Sequence, residues 1–514
     1  MLVYTCEQMK VIEANADISG LSYVTMMENA GNGCAEKIHS VLSSNISASK
    51  SVVVLCGSGK NGGDGYVIAG NLCDKGYTVR IIMTDGLPNA YESKLMFAKL
   101  ENKPVIASEL SKNYQSCVTA CLNAGAIIDC VFGIGFHGQL SNGLSVFFKD
   151  IAKSRAKKFA VDIPSGLEGN SGEINSEHFT ADYTLAITCF KPVHILKPAA
   201  DSCGIVSLID IGIDEGAYKS VGNELIISAD DAEIARFFTP RNPTSNKGDY
   251  GKLLCVAGSR NMQGAAVMAA EAAVNSGVGI VTSVFPSSAY PAIAAKLTEA
   301  LTMPLDETEN GCLAYSNLDK ILALSEKSTA MLIGCGLGTD SETVDLVCEL
   351  VRKVKIPLII DADGINAIAA NKDVLKETSA PVILTPHPGE MARLTGKTVE
   401  EIQTDRIAAA KAFANEYGCI LVLKGSNTVV ASPTNYTYVN RTGNAGMATG
   451  GSGDVLAGII SSFVCQSMGM HPSAIAGVYI HGLCGDAVSR KYSQHGTTPT
   501  RMINELAEVL SNFE

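Results

Sequence analysis

Residues 57–70, GSGKNGGDGYVIAG, combine glycines and polar side chains in a spacing that suits a nucleotide. Gly57, Gly59 and Gly62 form the pattern G-x-G-x-x-G directly after the apolar run SVVVLC. In dinucleotide-binding folds this pattern makes a tight turn from a strand into a helix, whose first N–H groups bind phosphate. The alternative is a strand-to-helix turn that needs glycine only for steric reasons.

Two acids near this loop bear on which nucleotide chemistry it serves. Asp85 lies about 20 residues further on, where such folds place an acid that contacts a ribose. We expect a helix to begin near Asp64, whose carboxylate would repel a pyrophosphate unless it accepts hydrogen bonds. This argues against an ordinary dehydrogenase.

Two later turns also carry acids at the ends of apolar runs. Asp129 precedes a second glycine loop at residues 133–139, and Asp162 precedes Ser165 in AVDIPSG. If the runs are parallel strands, all three turns meet at one edge of the sheet. An acid beside a phosphate loop is a candidate general acid/base. Capping of the following loop is the alternative for both acids.

The second half contains the most informative stretch, TGNAGMATGGSGDVLAGII at residues 442–460. Its glycines precede Asp454 and an apolar helical run, so N–H groups at a helix N-terminus would form an anion hole. An acid at that position can take a proton from a hydroxyl while the hole stabilises phosphoryl charge. The pattern favours phosphoryl transfer to an alcohol, and a helix N-cap is the alternative.

Other predicted strand ends in this half support a nucleotide site. His387 lies between two prolines in a rigid turn, and residues 334–338 (GCGLG) permit close approach of a backbone to a ligand. Lys424 and Ser426 follow an apolar run and are expected near phosphates. Asp361, Asp363 and Asn366 are either structural or help to organise a metal.

These turns need strands and helices to position them. Apolar runs rich in Val and Ile alternate with longer mixed stretches, which predicts parallel sheets covered by helices. We expect helices over residues 7–17 and 25–42. A chain of 514 residues exceeds one ordinary core, so more than one domain is expected. Residues 210–224 are polar and contain glycines, which suits a linker between domains. We therefore predict α/β domains at residues 1–222 and 223–514.

Composition narrows the functional class. The net charge of −12 argues against a nucleic-acid surface, and the 16 cysteines include no C-x-x-C pair of the kind that binds zinc. No signal peptide is recognised, and the longest apolar segment, residues 455–470, is interrupted by polar residues. We expect a cytoplasmic homo-oligomeric enzyme that binds small molecules, without nucleic-acid or membrane partners.

Together MENAG, GKNGGDG, DCVFGIG and VDIPSG resemble the NAD(P)H-hydrate epimerase family over about residues 1–212. The resemblance implies a Rossmann-like fold, with Asp162 as the acid/base beside the epimerising carbon. Asn61, Asp129 and Ser165 match the family's potassium ligands. Lys60 departs from the asparagine common in the family and could add a phosphate contact. The dinucleotide would be held by Lys60, Asn61, Gly62, Gly63, Asp64, Gly133, Ile134, Gly135, Phe136, His137, Gly138 and Gln139. Asp64 is then a site residue and Asp85 a surface residue.

The second-half motifs NKGDYGKLLCVAGS, GCGLGTD, DADGINAI, LTPHPGEMARL, KGSNTVV and NAGMATGGSGDVLAGII resemble the ADP-dependent NAD(P)H-hydrate dehydratase family over about residues 228–514. The resemblance implies a ribokinase-like fold and Mg²⁺ with ADP as co-substrate. Ala265, Gly338, His387 and Asp454 would contact the hydrate, with Asp454 activating its hydroxyl. The adenine nucleotide would be held by Lys424, Gly425, Ser426, Asn427, Thr428 and Gly453.

Both halves on one chain predict a bifunctional enzyme that repairs hydrated NADH and NADPH (NADHX and NADPHX). Epimerisation would supply the S hydrate, which the second domain would dehydrate with release of AMP and phosphate. A ribokinase-type small-molecule kinase with an N-terminal nucleotide-binding module is the alternative. A first domain that only binds ligand is a third reading, against which Asp162 and Asn61 weigh.

Overall fold

The computed structural model describes residues 2–44, 49–219, 221, 225–434 and 436–514. The chain forms two compact units, residues 1–225 and 226–514. The domain boundary predicted near Gly222 lies outside the described residues. No helix in the described part is both long and apolar enough to cross a lipid bilayer.

The first unit is built on a seven-stranded parallel sheet with the strand order β4-β3-β2-β5-β6-β7-β8. Its strands are β1 (Leu2–Val3, outside this sheet), β2 (Ser51–Cys56), β3 (Thr78–Met83), β4 (Ile106–Glu109), β5 (Ala126–Cys130), β6 (Lys157–Val161), β7 (Tyr183–Ile187) and β8 (Ile205–Ile209). Its helices are α1 (Cys6–Ile18), α2 (Tyr23–Ser43), α3 (Lys60–Asp74), α4 (Tyr91–Ala98), α5 (Tyr114–Leu122) and α6 (Asn142–Ile151). The two helices predicted before the first long strand are confirmed to within two residues.

This strand order is that of a doubly wound sheet, which confirms the Rossmann-like prediction. The order reverses between β2 and β5, and such sheets bind ligands in the crevice at that point. The loops after β2 and β5 are the first two glycine turns of the sequence, and the Asp162 turn follows the adjacent strand β6. All three turns therefore lie at the carboxyl edge of neighbouring strands, as predicted.

Helix α3 begins at Lys60, so the prediction of a start near Asp64 is wrong by four residues. The reason is the close packing of the helix against the loop before it. A Cβ atom on Gly62 would lie 1.9 Å from the carbonyl oxygen of Gly57, and one on Gly63 would lie 2.4 Å from the sulfur of Met27. Since neither residue carries a side chain, the first helical turn can start directly behind the strand.

The second unit contains a larger mixed sheet, in which ten strands follow the order β9-β18-β17-β16-β15-β14-β13-β10-β11-β12. These strands are β9 (Ile226–Ile227), β10 (Lys252–Val256), β11 (Ile280–Pro286), β12 (Leu301–Leu305), β13 (Ala330–Ile333), β14 (Leu358–Ile360), β15 (Val382–Leu384), β16 (Ile420–Leu423), β17 (Val429–Ala431) and β18 (Thr437–Val439). Strands β10 to β16 pair in parallel, and β17 pairs antiparallel with both β16 and β18. The order again reverses between β10 and β13, which places the GCGLG loop after β13 beside the crevice.

Helices cover this sheet, and two of them, α8 and α17, pack closely against each other. The helices are α7 (Asp231–Ala235), α8 (Gln263–Asn275), α9 (Tyr290–Ala294), α10 (Leu318–Ser325), α11 (Ser341–Lys353), α12 (Asp363–Ala369), α13 (Val374–Glu377), α14 (Pro388–Thr395), α15 (Val399–Thr404), α16 (Arg406–Tyr417), α17 (Ser452–Cys465), α18 (Met470–Lys491) and α19 (Pro499–Leu510). A Cβ atom on Gly458 of α17 would lie 2.3 Å from the carbonyl oxygen of Ala269 in α8. Glycine at this position therefore lets the two helices approach, and their contact fixes the start of α17 at the sheet edge.

Gly62→Ala should lower the free energy of unfolding of the first unit by about 3 kcal/mol, because the new methyl group meets backbone rather than a movable side chain. Gly59→Ala is the matched control, since a Cβ atom there meets nothing within 4 Å. Its cost should not exceed about 1 kcal/mol. Scanning calorimetry of the full chain would measure both variants. Equal loss of stability in the two variants would contradict the packing role of Gly62.

Candidate active sites

A cavity of about 550 Å³ opens in the first unit at the crevice between β2 and β5. Three elements form most of its wall: the loop and helix start at residues 58–64, the loop at residues 131–136, and helix α2. The lining residues are Lys10, Glu13, Tyr23, Met26, Met27, Ala30, Ser58, Gly59, Lys60, Asn61, Asp64, Asp85, Val131, Phe132, Gly133, Ile134, Gly135, Phe136, Asp162, Ile187 and Ile211.

Asp162 is a buried cavity residue whose carboxylate is held on one side only. Its Oδ1 accepts a hydrogen bond from Lys191 Nζ at 2.5 Å and another from the backbone N–H of Ile187 at 3.2 Å. Among the described residues, no donor is hydrogen-bonded to Oδ2. A Cβ atom on the cavity residue Gly133 would lie 3.3 Å from Oδ2, so glycine keeps the space in front of this oxygen open. The free oxygen can therefore exchange a proton with a molecule in the cavity.

In the glycine-rich loop after β2, some glycines allow close packing and another leaves room for a ligand. Gly57 and Gly62 lie against backbone atoms, so glycine is needed there for steric reasons. A Cβ atom on Gly59 would face open space. Gly59 is the N-cap of α3, and no side chain caps this N-terminus. The first N–H groups of α3 are therefore available to an anion that approaches over Gly59.

Two side chains at the rim support the loop. Asp85 is exposed, as predicted, and it also lines the cavity, where its carboxylate accepts hydrogen bonds from the Ser58 N–H at 2.6 Å and the Ser58 hydroxyl at 2.7 Å. Lys60 is exposed, and its Nζ lies 3.7 Å from the centre of the Tyr23 ring. The lysine that departs from the family pattern thus adds a positive charge at the cavity mouth.

Two further acids share the cavity with Asp162. Burial raises the pKa of Asp64 well above its usual range, and the negative charges of Asp162 and Glu13 raise it further. The pKa of Glu13 is also raised, first by burial and then by the charge of Asp162. Glu13 comes from α1 and carries no recognisable motif, so sequence analysis did not identify it.

The three candidate potassium ligands are connected at the loop after β5, where Asn61 and Ser165 hydrogen-bond to Phe132 and Asp129 hydrogen-bonds to Ser165. The Asn61 side-chain amide donates to the Phe132 carbonyl at 2.8 Å, and the Phe132 N–H donates to Ser165 Oγ at 2.9 Å. Ser165 in turn donates its hydroxyl to Asp129 Oδ1 at 2.7 Å. Burial raises the pKa of Asp129 to about 6, and hydrogen bonds from Ser165 and Val131 oppose that rise.

Only the first half of the second glycine loop lines the cavity. Residues 133–136 line the cavity, whereas His137, Gly138 and Gln139 are not among its lining residues. His137 is exposed, and its Nδ1 lies 3.4 Å from a carboxylate oxygen of Glu168. Among the described residues, the predicted dinucleotide loop therefore reaches the cavity through its first half only.

In the second unit, the buried Asp361 and the partly buried Lys424 form an ion pair at the ends of β14 and β16. Lys424 Nζ lies 2.6 Å from Asp361 Oδ1 and 3.8 Å from Glu390 Oε2. Thr385, at the end of β15, donates its hydroxyl to the same Asp361 oxygen at 2.6 Å. A Cβ atom on Gly453 would lie 3.3 Å from Lys424 Nζ, so the glycine-rich stretch passes directly over the lysine.

Asp454 lies in the first turn of α17 rather than at its cap. The N-cap is Gly451, with a backbone φ of +93°, and no side chain caps the helix. This geometry excludes the alternative of an N-cap role for Asp454. Among the described residues, no acceptor is hydrogen-bonded to the backbone N–H groups of Gly453 and Asp454. These groups are therefore free to bind an anion, and the anion hole stays a prediction.

The carboxyl group of Asp454 is in an environment that suits a general base. Burial and the negative charge of Asp361 raise its pKa to about 7, against the lowering effects of the Cys335 thiol and Lys424. Ligand atoms of Cys335, Asp361 and Asp454 all lie within 4.8 Å of one another. An acid with a pKa near neutrality can accept a proton and return it at physiological pH.

His387 caps helix α14 and is half exposed at the edge of this site. Its Nδ1 accepts the N–H groups of Gly389 at 3.0 Å and Glu390 at 3.3 Å. Partial burial and the positive charge of Lys424 lower the pKa of His387. The ring is therefore neutral at pH 7, with its proton on Nε2.

The turn at residues 424–428 joins β16 to β17 and is held by hydrogen bonds from Arg406. The guanidinium donates to the carbonyls of Leu423 at 3.0 Å and Lys424 at 3.2 Å. A Cβ atom on Gly425 would lie 2.6 Å from this guanidinium, which explains the glycine. Ser426 is exposed, Asn427 donates its amide to the Asn440 carbonyl, and Thr428 donates its hydroxyl to the Gly425 carbonyl.

The remaining candidates lie around the GCGLG loop. The Gly338 N–H donates to Asp363 Oδ2 at 2.9 Å, and Asn366 donates to Asp363 Oδ1 at 3.2 Å. A Cβ atom on Gly336 would lie 2.8 Å from Ala265 Cβ. Asp363 therefore holds the loop that carries Gly338, and its charge also raises the pKa of Asp454.

Comparison with known proteins adds independent findings. One family model, described as YjeF-related protein N-terminus, matches residues 24–193, and another, described as NAD(P)H-hydrate dehydratase, matches residues 253–508. A bifunctional NAD(P)H-hydrate repair enzyme of Moorella thermoacetica is 36% identical over 498 residues, which cover 96% of this chain and 93% of that protein.

Two solved structures are similar to more than half of the chain. An ADP/ATP-dependent NAD(P)H-hydrate dehydratase of Bacillus subtilis, crystallised with ATP and Mg²⁺, is 31% identical and covers 55% of this chain and 98% of that protein, with a TM-score of 0.50. A ribokinase-like superfamily protein of Enterococcus faecalis is 26% identical and covers 56% of this chain and 96% of that protein, also with a TM-score of 0.50. The predicted ribokinase-like fold is thereby confirmed.

Asp454→Asn should stabilise the second unit at pH 8 and have little effect on its stability at pH 4. The folded protein holds this carboxyl with a pKa of about 7, above its ordinary value of 3.8, so ionisation costs stability as the pH rises between these values. The neutral amide avoids that cost. Urea unfolding followed by circular dichroism would measure the difference, since the chain has no tryptophan. A stability difference that does not change with pH would contradict the raised pKa.

Proposed function

The chain belongs to the family of bifunctional NAD(P)H-hydrate repair enzymes, and on this premise we propose how its two units divide the repair. The first unit interconverts the R and S hydrates of NADH and NADPH. The second unit dehydrates the S hydrate with ADP and releases AMP and phosphate. The observation that carries the proposal is the presence, in each unit, of an acid beside an uncapped helix N-terminus at the crevice of a doubly wound sheet.

In the first unit, Asp162 is the acid/base of the epimerisation. Its unpartnered Oδ2 faces the cavity, where it can take a proton from the hydrated ring and return it. The uncapped N-terminus of α3 and the charge of Lys60 would bind the pyrophosphate of the dinucleotide over Gly59. The cavity of about 550 Å³ has the size of a site for one small molecule.

In the second unit, Asp454 takes the proton of the substrate hydroxyl as that oxygen attacks the terminal phosphorus of ADP. The new oxygen–phosphorus bond forms while the phosphoanhydride bond breaks, and AMP leaves. Lys424 and the N–H groups of Gly453 and Asp454 stabilise the charge on the transferred group. The carbon–oxygen bond then breaks and phosphate leaves while the neighbouring ring carbon loses a proton to water, which restores the double bond of the dihydronicotinamide ring.

The residues present fit the two cations that the family resemblance implies. Asn61, Asp129 and Ser165 offer side-chain oxygen atoms at the loop after β5, a donor set that suits a hard cation such as potassium. Potassium would offset the charge of the buried Asp129. Asp361 is the carboxylate that would face Mg²⁺ with ADP, because its Oδ2 contacts only the Cys335 thiol, at 3.8 Å, among the described residues. Mg²⁺ would neutralise charge on the phosphates. A cytoplasmic location and a homo-oligomeric state stay predictions.

Two single variants should separate the activities. With a mixture of hydrate epimers, ADP and Mg²⁺, Asp162→Asn should restore reduced-nicotinamide absorbance only up to the S fraction that is present at the start, beyond the slow uncatalysed epimerisation. Asp454→Asn should restore none, while chromatography still shows interconversion of the epimers. Each loss should be about 100-fold or more, because each variant removes the proton-transferring group.

The same experiment distinguishes repair from the kinase alternative. Accumulation of a stable phosphate ester of the hydrate, without recovery of the dihydronicotinamide, would contradict dehydration. Full recovery by Asp454→Asn would show that Asp454 is not the base.

Potassium should raise the epimerase rate of the wild-type chain in a saturable way at constant ionic strength, with choline as the replacement cation. Asp129→Asn should lose most of this response, because the buried negative charge that attracts the ion is gone. Asp74→Asn, which changes an exposed carboxylate at the far end of α3, is the control and should respond as the wild type does. A wild-type rate that is independent of potassium would contradict the cation site.

A further inference from the structure

We propose that Lys191 and His194 are positioning residues of the first unit, which fix the Asp162 carboxylate so that only Oδ2 is presented to the cavity. This inference rests on the proposed epimerase function. Both residues come from the segment CFKPVHIL after strand β7, which carries none of the motifs described above.

Lys191 is a charged residue with no exposed surface. Its Nζ donates to Asp162 Oδ1 at 2.5 Å and to the carbonyl oxygen of Ile187 at 2.7 Å. A lysine is almost never fully buried unless its charge is paired, and the Asp162 carboxylate provides that pairing. The ammonium group therefore holds one carboxylate oxygen from the protein interior.

His194 holds the backbone of the same aspartate. Its Nδ1 accepts the backbone N–H of Lys191 at 3.0 Å, which leaves the proton on Nε2, and Nε2 donates to the Asp162 carbonyl at 2.7 Å. Burial and the positive charge of Lys191 lower the pKa of His194 to about 4, so the ring is neutral at pH 7. One buried histidine thus connects the lysine and the aspartate through their main chains.

The conformation of Asp162 requires such support. Its φ is +65°, in the left-handed region that a residue with a side chain rarely adopts. The backbone N–H donates to the Leu185 carbonyl at 2.8 Å, and the carbonyl and Oδ1 are held as described. Every polar group of Asp162 except Oδ2 is therefore occupied.

Other charged residues that line the cavity act on the same carboxylate. Glu13 from α1 and Asp64 from α3 are acids that repel the Asp162 carboxylate. Lys10 and Lys60, which also line the cavity, lie among these acids on the ligand side. Lys191 is the cation that opposes the repulsion from the protein side, and it does so without entering the space for the substrate.

The test is the steady-state kinetics of epimerisation by the full chain carrying Lys191→Met, with the two epimers separated by chromatography. We expect kcat to fall by about 100-fold while KM changes by less than about threefold, because the binding loops are untouched. Dehydration of purified S hydrate by the same molecules should be unchanged and reports that the second unit is intact, and the unchanged KM of epimerisation reports that the first unit is folded. Lys103→Met is the matched control, since this lysine pairs with Asp74 away from the cavity and its loss should not change kcat.

A second variant separates positioning from a merely structural role. Asp162→Asn combined with Lys191→Met should be no slower than Asp162→Asn alone, since the two residues act as one unit. A double variant whose kcat falls by the product of the two single losses would overturn the proposal. A Lys191→Met variant with wild-type kcat would also overturn it.

The remaining outcomes are equally distinct. If Asp162→Asn keeps full epimerase activity, the proposed role of Asp162 fails whatever Lys191 does. If Lys191→Met does not fold, His194→Asn decides, because it leaves the ion pair in place and releases the Asp162 carbonyl. It should lower kcat by about tenfold at unchanged KM, and wild-type kcat would overturn the proposal.

Discussion

In each unit a lysine holds a buried strand-end aspartate, and the arrangement of both sites depends on that ion pair. The distances are 2.5 Å between Lys191 and Asp162 and 2.6 Å between Lys424 and Asp361. Burying such a pair costs desolvation free energy, and removing one partner leaves an uncompensated charge. A pair of this kind contributes little net stability. Its value here is geometric, because it fixes a carboxylate where the strands of a parallel sheet end.

The two ion pairs differ in how they are related to the acid proposed to transfer a proton. In the first unit the paired aspartate is itself the residue that faces the cavity. In the second unit the paired Asp361 is a neighbour of Asp454, and its negative charge helps to raise the pKa of Asp454 to about 7. The uncapped start of α17 then adds N–H groups beside that acid. The buried carboxyl group lowers the stability of the folded chain at neutral pH, and its raised pKa allows it to accept a proton.

Local patterns predicted much of this arrangement. Apolar runs gave the parallel strands, and acids and glycines at their ends marked both sites. The pattern alone could not separate Gly59, which faces open space, from Gly62, which packs on backbone, because both are glycines of one turn. Nor could it fix the start of α17, on which the role of Asp454 depends. Glu13, Lys191 and His194 belong to none of the motifs, and tertiary packing alone brings Glu13 to the cavity and the other two to Asp162.

We infer that one chain holds two sites, each organised by its ion pair at a sheet crevice. A crystal structure of the full chain with a hydrated dinucleotide and ADP tests this most directly. We expect density for the dinucleotide in the first-unit cavity, with its hydrated ring at Asp162 Oδ2 and a phosphate at the start of α3. We also expect the ADP phosphates between Lys424 and the start of α17. Nucleotide density in the second unit alone, with the first cavity empty at saturating ligand, would contradict it.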